Sequence, residues 1–126
     1  IAEKRGAKLV DAVDININCI HNTLGNIKRN NCCKIKTIHS TSEVLIGNFY
    51  EMILSNITLN NLKENFENFN KISNEKTILI LSGFYKNDLE EVNKVINNLG
   101  FIFSDSKRRN NWVASRYYRK QTQRLN

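Results

Sequence analysis

Apolar residues arrive along this chain in two rhythms, and the alternation between them lays out the elements. Tyr50–Asn56 carries Met52, Ile53 and Leu54 in unbroken succession, the pattern of a strand buried on both faces of a parallel sheet. Directly after it, Leu59, Leu62, Phe66 and Phe69 recur at intervals of three and four, which predicts an amphipathic helix packed on that sheet. Residues 77–81 form a second continuous, β-branched run closed by Ser82-Gly83, and Leu89, Val92, Ile96 and Leu99 mark another helix that Gly100 stops. Nearer the start, residues 8–13 read as a short strand closing on Asp14. From Asn16 or Asn18, either able to cap, a helix runs to Arg29 with Ile20, Leu24 and Ile27 on one face, and residues 34–39 alternate as a strand. Residues 1–6 read as the end of a helix, Gly6 being suited to the left-handed position that closes one. Residues 101–103 and 112–118 read as strands joined by the polar, basic segment 104–111. With no room for a crossover helix, they are expected to pair antiparallel.

This alternation specifies an α/β domain with a mainly parallel sheet. In such sheets ligands bind beyond the carboxyl ends of the strands, which singles out the residues standing there. Asn56 ends its strand, and its carboxamide can accept and donate hydrogen bonds at once; the plain alternative is a turn asparagine. Asp14 sits one step past an apolar strand, where a carboxylate, offering only acceptors, suits ribose hydroxyls. Its plain alternative is a turn or helix-capping aspartate. Asp14 and Asn56 close two strands of one expected sheet and are therefore expected to point over a shared edge, with Ser82-Gly83 closing a third strand there.

Charge and cysteines change the picture only a little. The 126 residues carry a net charge of +7, and much of the excess follows Ser106, in Lys107, Arg108, Arg109, Arg116, Arg119, Lys120 and Arg124. With Tyr117 and Tyr118 interleaved, this end offers RNA both charge and stacking; the alternative is a solvated, frayed terminus. Three cysteines, Cys19, Cys32 and Cys33, are odd in number and lack ligand spacing even with His21 near Cys19. They fit neither a disulfide framework nor a metal site and suit a reducing compartment. No apolar run has the length of a membrane span and no signal peptide is visible, so the cytoplasm is the expected location.

Four stretches carry a resemblance: Ala12-Val13-Asp14-Ile15-Asn16, Leu54-Ser55-Asn56-Ile57, Leu79-Ile80-Leu81-Ser82-Gly83-Phe84-Tyr85 and Asn111-Trp112-Val113-Ala114. In order and spacing they resemble the C-terminal part of the bacterial methyltransferases that modify the eleventh protein of the large ribosomal subunit. The likeness runs from Ile1 to about Tyr118, with residues 119–126 as a basic tail. It implies a Rossmann-like class I methyltransferase fold, with helices on both faces of a mainly parallel sheet and a C-terminal antiparallel hairpin. It also implies S-adenosylmethionine as cofactor and transfer of methyl groups to lysine or terminal amines of a large-subunit ribosomal protein.

Carried over by position, Asp14 matches the acid that holds the cofactor's ribose, with Ile15 beside it. Asn56 matches the residue that positions the nitrogen to be methylated and borders the cofactor. Ser82 and Gly83 match the turn on the substrate side, and Trp112 matches a closing-strand aromatic expected to pack in the core. Thr41 lies in the polar loop where such enzymes often place an acid near the adenine; Glu43 is the nearby substitute. The family's glycine-rich turn, its central strand and its recognition domain belong before Ile1. The segment alone is therefore expected to bind S-adenosylmethionine weakly or not at all and to be inactive. A remnant that self-associates along an unpaired strand is a further expectation.

Overall fold

The computed structural model describes residues 1–120. The chain divides into two compact units, Ile1–Val44 and a second beginning at Leu45.

In the first unit, strand β1 (Val10–Asp14), helix α1 (Ile17–Arg29) and strand β2 (Ile35–His39) form a β-α-β unit. The strands pair in parallel from Val10↔Ile35 to Asp14↔His39. Helix α1 starts where it does because extended Asn16 accepts the Asn18 N–H at 2.9 Å, satisfying a donor the first turn leaves open. Of its expected apolar face only Ile20 is buried, while Leu24 is exposed. Residues 1–6 hold one 3-10 turn, Glu3–Arg5, closed by Gly6 at φ 101°, whose N–H donates to the Glu3 carbonyl. The Glu3 carboxylate accepts the N–H groups of Cys33 and Lys34, both at 3.0 Å. Those bonds, Cys33's foremost, hold its carboxyl below the ordinary glutamate range.

The second unit contains β3 (Tyr50–Asn56), α2 (Leu59–Lys71), β4 (Ser73–Tyr85), α3 (Leu89–Asn98), β5 (Phe101–Arg109) and β6 (Trp112–Arg119). Its sheet runs β3-β4-β6-β5, with β3 and β4 parallel and β6 antiparallel to both its neighbours. Leu62 and Phe69 from α2, with Val92 and Ile96 from α3, close over Ile53, Leu79, Leu81, Phe101, Val113 and Tyr117. Burying each such side chain is worth roughly 1.5–3 kcal/mol.

Both helices of this unit thus lie on one face of its sheet. The register shows what the other face holds. One transverse row is Met52, Ile78, Tyr118 and Ile102; the next is Leu54, Ile80, Arg116 and Asp105; the last is Asn56, Ser82, Ala114 and Lys107. Strand β3 is therefore not buried on both faces: Met52 is 51% and Leu54 59% exposed, against 8% for Ile53.

Two strands outrun their expected lengths. Strand β4 passes through Gly83, which takes φ 95° at an irregularity in its pairing with β6 between Ser82 and Phe84. There the glycine bends the strand instead of ending it. Strand β5 continues to Arg109, and the expected loop shrinks to Asn110 and Asn111 between the paired Arg109 and Trp112. Asn110 adopts φ 54°, a left-handed conformation that asparagine tolerates. Arg119, expected to open a tail, ends β6, and the Lys120 N–H donates to the Gly100 carbonyl at 2.8 Å. The remainder of that expected tail, Arg124 included, lies outside the described residues.

Candidate functional site

The parallel strands β3 and β4 finish side by side, Asn56 opposite Ser82. Just past β3, the Ile57 N–H donates to the Ser82 carbonyl at 2.7 Å, and the Ser82 hydroxyl donates to Asn56 Oδ1 at 3.4 Å. Gly83 completes this corner. A Cβ there would run into Asn56 Oδ1 and stand 2.8 Å from the Ile57 nitrogen, so at φ 95° both the backbone and the space call for glycine. Asn56, Ser82 and Gly83 are thereby brought together.

They line an open cleft of about 850 Å³ whose other walls include Thr58, Trp112, Ala114 and the cations Lys107, Arg108 and Arg109. Among the described residues no carboxylate lines it. The nearby acids are committed elsewhere. Asp105 is paired with Arg116, which holds its carboxyl below the ordinary range, and Asp88 accepts the Tyr85 N–H at 2.9 Å.

Trp112 corrects an expectation. It does not pack in the core but is 50% exposed, lies against Tyr85 with ring centroids 4.5 Å apart, and lines the cleft. Its position at the hairpin end, opposite Tyr85 and Arg109, leaves the ring in solvent.

The expected basic cluster also separates into parts. Arg119 donates to the Leu99 carbonyl at 2.6 Å and to Asn70, and lies 4.8 Å over the Phe101 ring. Tyr117 is 1% exposed and donates its hydroxyl to Asn93 Oδ1 at 2.8 Å, so it cannot stack on a base. Burial pushes its phenol up. Lys107, Arg108 and Arg109 line the cleft, with Lys107 and Arg109 opposite Ala114 and Trp112 and Arg108 opposite buried Val113. Their place was hidden because a polar run resembles a loop until strand pairing is known.

In the first unit, Asp14 ends β1, and its Oδ1 accepts the Asn16 N–H at 2.8 Å. The Cys19 thiol is pushed up by its burial and by the Asp14 charge. His39, which ends β2, bonds through Nε2 to the Ile15 carbonyl at 3.0 Å. Ile15 is 71% exposed, and Thr41 is exposed. Asp14, Ile15 and Thr41 thus follow the carboxyl ends of one parallel pair, and Asn56, Ser82 and Gly83 those of another. Asp14 and Asn56 belong to different units. Among the described residues no cluster of His, Cys, Asp or Glu could hold a metal ion.

Parallel pairs with polar residues at their carboxyl ends, closed by a hairpin antiparallel to the last parallel strand, define the class I methyltransferase fold. The structure is similar to that of a ribosomal protein L11 methylase from Lactobacillus delbrueckii subsp. bulgaricus, with TM-score 0.87 and 22% identity over 95% of this chain and 62% of that one. It is also similar to M. jannaschii TYW2 solved in complex with AdoMet, with TM-score 0.67 and 13% identity over 94% of this chain and 61% of that one. The chain belongs to the ribosomal protein L11 methyltransferase (PrmA) family, whose model matches residues 1–120. A ribosomal protein L11 methyltransferase from Porphyromonas gingivalis is 31% identical over 93% of this chain and 41% of its own length. The chain therefore spans about two fifths of the length of the curated relatives it matches.

Proposed function

We propose that this chain is the acceptor-positioning part of an S-adenosylmethionine-dependent methyltransferase acting on lysine or terminal amines of ribosomal protein L11, in the cytoplasm where ribosomes are made. What supports this most is the family match over residues 1–120, joined to the corner in which Asn56, Ser82 and Gly83 meet at the carboxyl ends of β3 and β4.

Each residue's role follows from its chemistry. A neutral amine has N–H groups to donate and a lone pair to aim. Asn56 accepts from such an N–H, and Ser82 and Gly83 hold the carboxamide in place, so that positioning supplies most of the rate. The amine must arrive deprotonated, against a reference lysine pKa of about 10.4. The residues fit the cofactor as well. Asp14 accepts the Asn16 N–H and interacts with the Cys19 thiol, and a carboxylate with about four lone-pair sites keeps room for ribose hydroxyls as well. Ile15 and Thr41 flank it. Bound there, S-adenosylmethionine supplies an activated sulfonium methyl.

A chimaera tests this reading. The matching part of the Porphyromonas gingivalis relative is replaced by this chain, and methylation of L11 is followed by mass spectrometry. Methyl transfer is expected, with Asn56→Ala lowering it by about a hundredfold; full activity in that variant would sink the assignment. The chain alone is expected to bind S-adenosylmethionine weakly or not at all, and tight stoichiometric binding in calorimetry would contradict that.

A contact with RNA is the second reading, favoured by the exposed cations Lys107, Arg108 and Arg109. RNA affinity measured against salt, with and without alanine at Lys107, Arg108 and Arg109, tests whether these cations contribute.

A further inference from the structure

We propose that the cleft of the second unit recognises an extended acidic peptide segment, in which a carboxylate seats on Lys107 and Arg109 while the acceptor amine faces Asn56. This rests on the amine-methyltransferase reading above and names the substrate feature that the site selects.

Charge comes first. Among the described residues three cations and no carboxylate line the cleft, and none of the three joins the ion pairs found there. Arg116, one row away, is by contrast answered by Asp105. Asp105 offsets part of the Lys107 charge, and the cationic wall that remains attracts anions and disfavours an ammonium, so a segment bearing only lysines is disfavoured. The amine enters in the company of acids.

Geometry sets the spacing. Asn56, Ser82, Ala114 and Lys107 form one row across four strands, and three strand intervals of about 4.8 Å put its ends about 14 Å apart. The two middle residues are small, leaving an unobstructed floor. An extended chain advances about 3.3–3.6 Å per residue, so amine and carboxylate belong about four residues apart.

Shape argues against a nucleic acid. Single strands bind on ladders of exposed aromatics. Among the described residues Trp112 is the cleft's one aromatic and already lies against Tyr85, while exposed Tyr118 stands two rows away.

The test is fluorescence anisotropy on this chain with labelled peptides of about eight residues and with a single-stranded RNA of similar length, at about 50 mM salt. A peptide with glutamates about four residues from its lysine is expected to bind, and to bind more tightly than one with them adjacent. Lys107→Ala, Arg108→Ala and Arg109→Ala together are expected to weaken it by about tenfold or more. Lys107→Glu is expected to shift the preference towards an all-lysine peptide, an outcome misfolding cannot imitate. Unchanged binding of the acidic peptide in the triple variant, or tighter binding of RNA through the same cations, overturns the proposal. The assay needs neither cofactor nor turnover, so its failure is distinct from failure of the chimaera to methylate L11.

Discussion

In the first unit Ile20 is the buried hydrophobic side chain, whereas in the second a continuous core runs from Ile53 to Tyr117. Where packing is sparse, polar contacts hold the chain: Glu3 on the Cys33 and Lys34 amides, Asn16 on the helix start, His39 on the Ile15 carbonyl. The contrast matches what the candidate residues are asked to do. A carboxylate accepting from hydroxyls works over a range of positions, so Asp14 can stand on a loosely packed frame. A carboxamide that aims a lone pair cannot drift, since a misplacement of about 1 Å costs about a hundredfold in rate. Asn56 stands on the packed unit, wedged against Gly83.

This contrast can be broken by mutation. The largest effect belongs to the second core. Leu81→Ala is expected to cost about 3 kcal/mol or more in urea denaturation, and Ile20→Ala distinctly less; equal costs would erase the difference between the units. Next comes Gly83→Ala, whose left-handed backbone and blocked Cβ should cost about 1–3 kcal/mol. In the chimaera it should also lower methyl transfer far more than Ser82→Ala does, because it displaces the Asn56 carboxamide.

Smaller effects sharpen the comparison. Asn16→Ala removes the cap of α1 and should cost about 1 kcal/mol, read as faster amide exchange in the first unit alone. The last test is acid. Because the Glu3 carboxyl is held below its ordinary range, its stabilising contribution is complete above the unfolded glutamate pKa and fades as pH falls through the depressed folded value. Exchange at Cys33 and Lys34 should accelerate in that window while β4 amides hold steady, and Glu3→Gln should flatten the dependence.

Much of this architecture is written in local patterns. The 3.6-residue periodicity of α2 and α3 and the strand Tyr50–Asn56 appear where hydrophobic spacing puts them, and Asn16 caps as its side chain suggests. What could not be read depends on pairing. A run such as Met52-Ile53-Leu54 signals apolar residues on both faces without saying which face is covered. Gly83 looks like a stop because a glycine that ends a strand and one that kinks it are the same letter. Residues 104–109 look like a loop because a strand without a buried face has no apolar alternation to display. For the same reason the cationic wall of the cleft went unseen, whereas Asn56 was legible as the end of its strand and Ser82 and Gly83, which lie within β4, only as a break in an apolar run.

The row of Met52, Ile78, Tyr118 and Ile102 has a practical side. Oily side chains on a rigid, water-facing sheet offer a ready perch for fluorescent hydrophobic dyes. The native chain should therefore glow with them at full stability, and a signal often taken for loosened structure would here report only intact pleating.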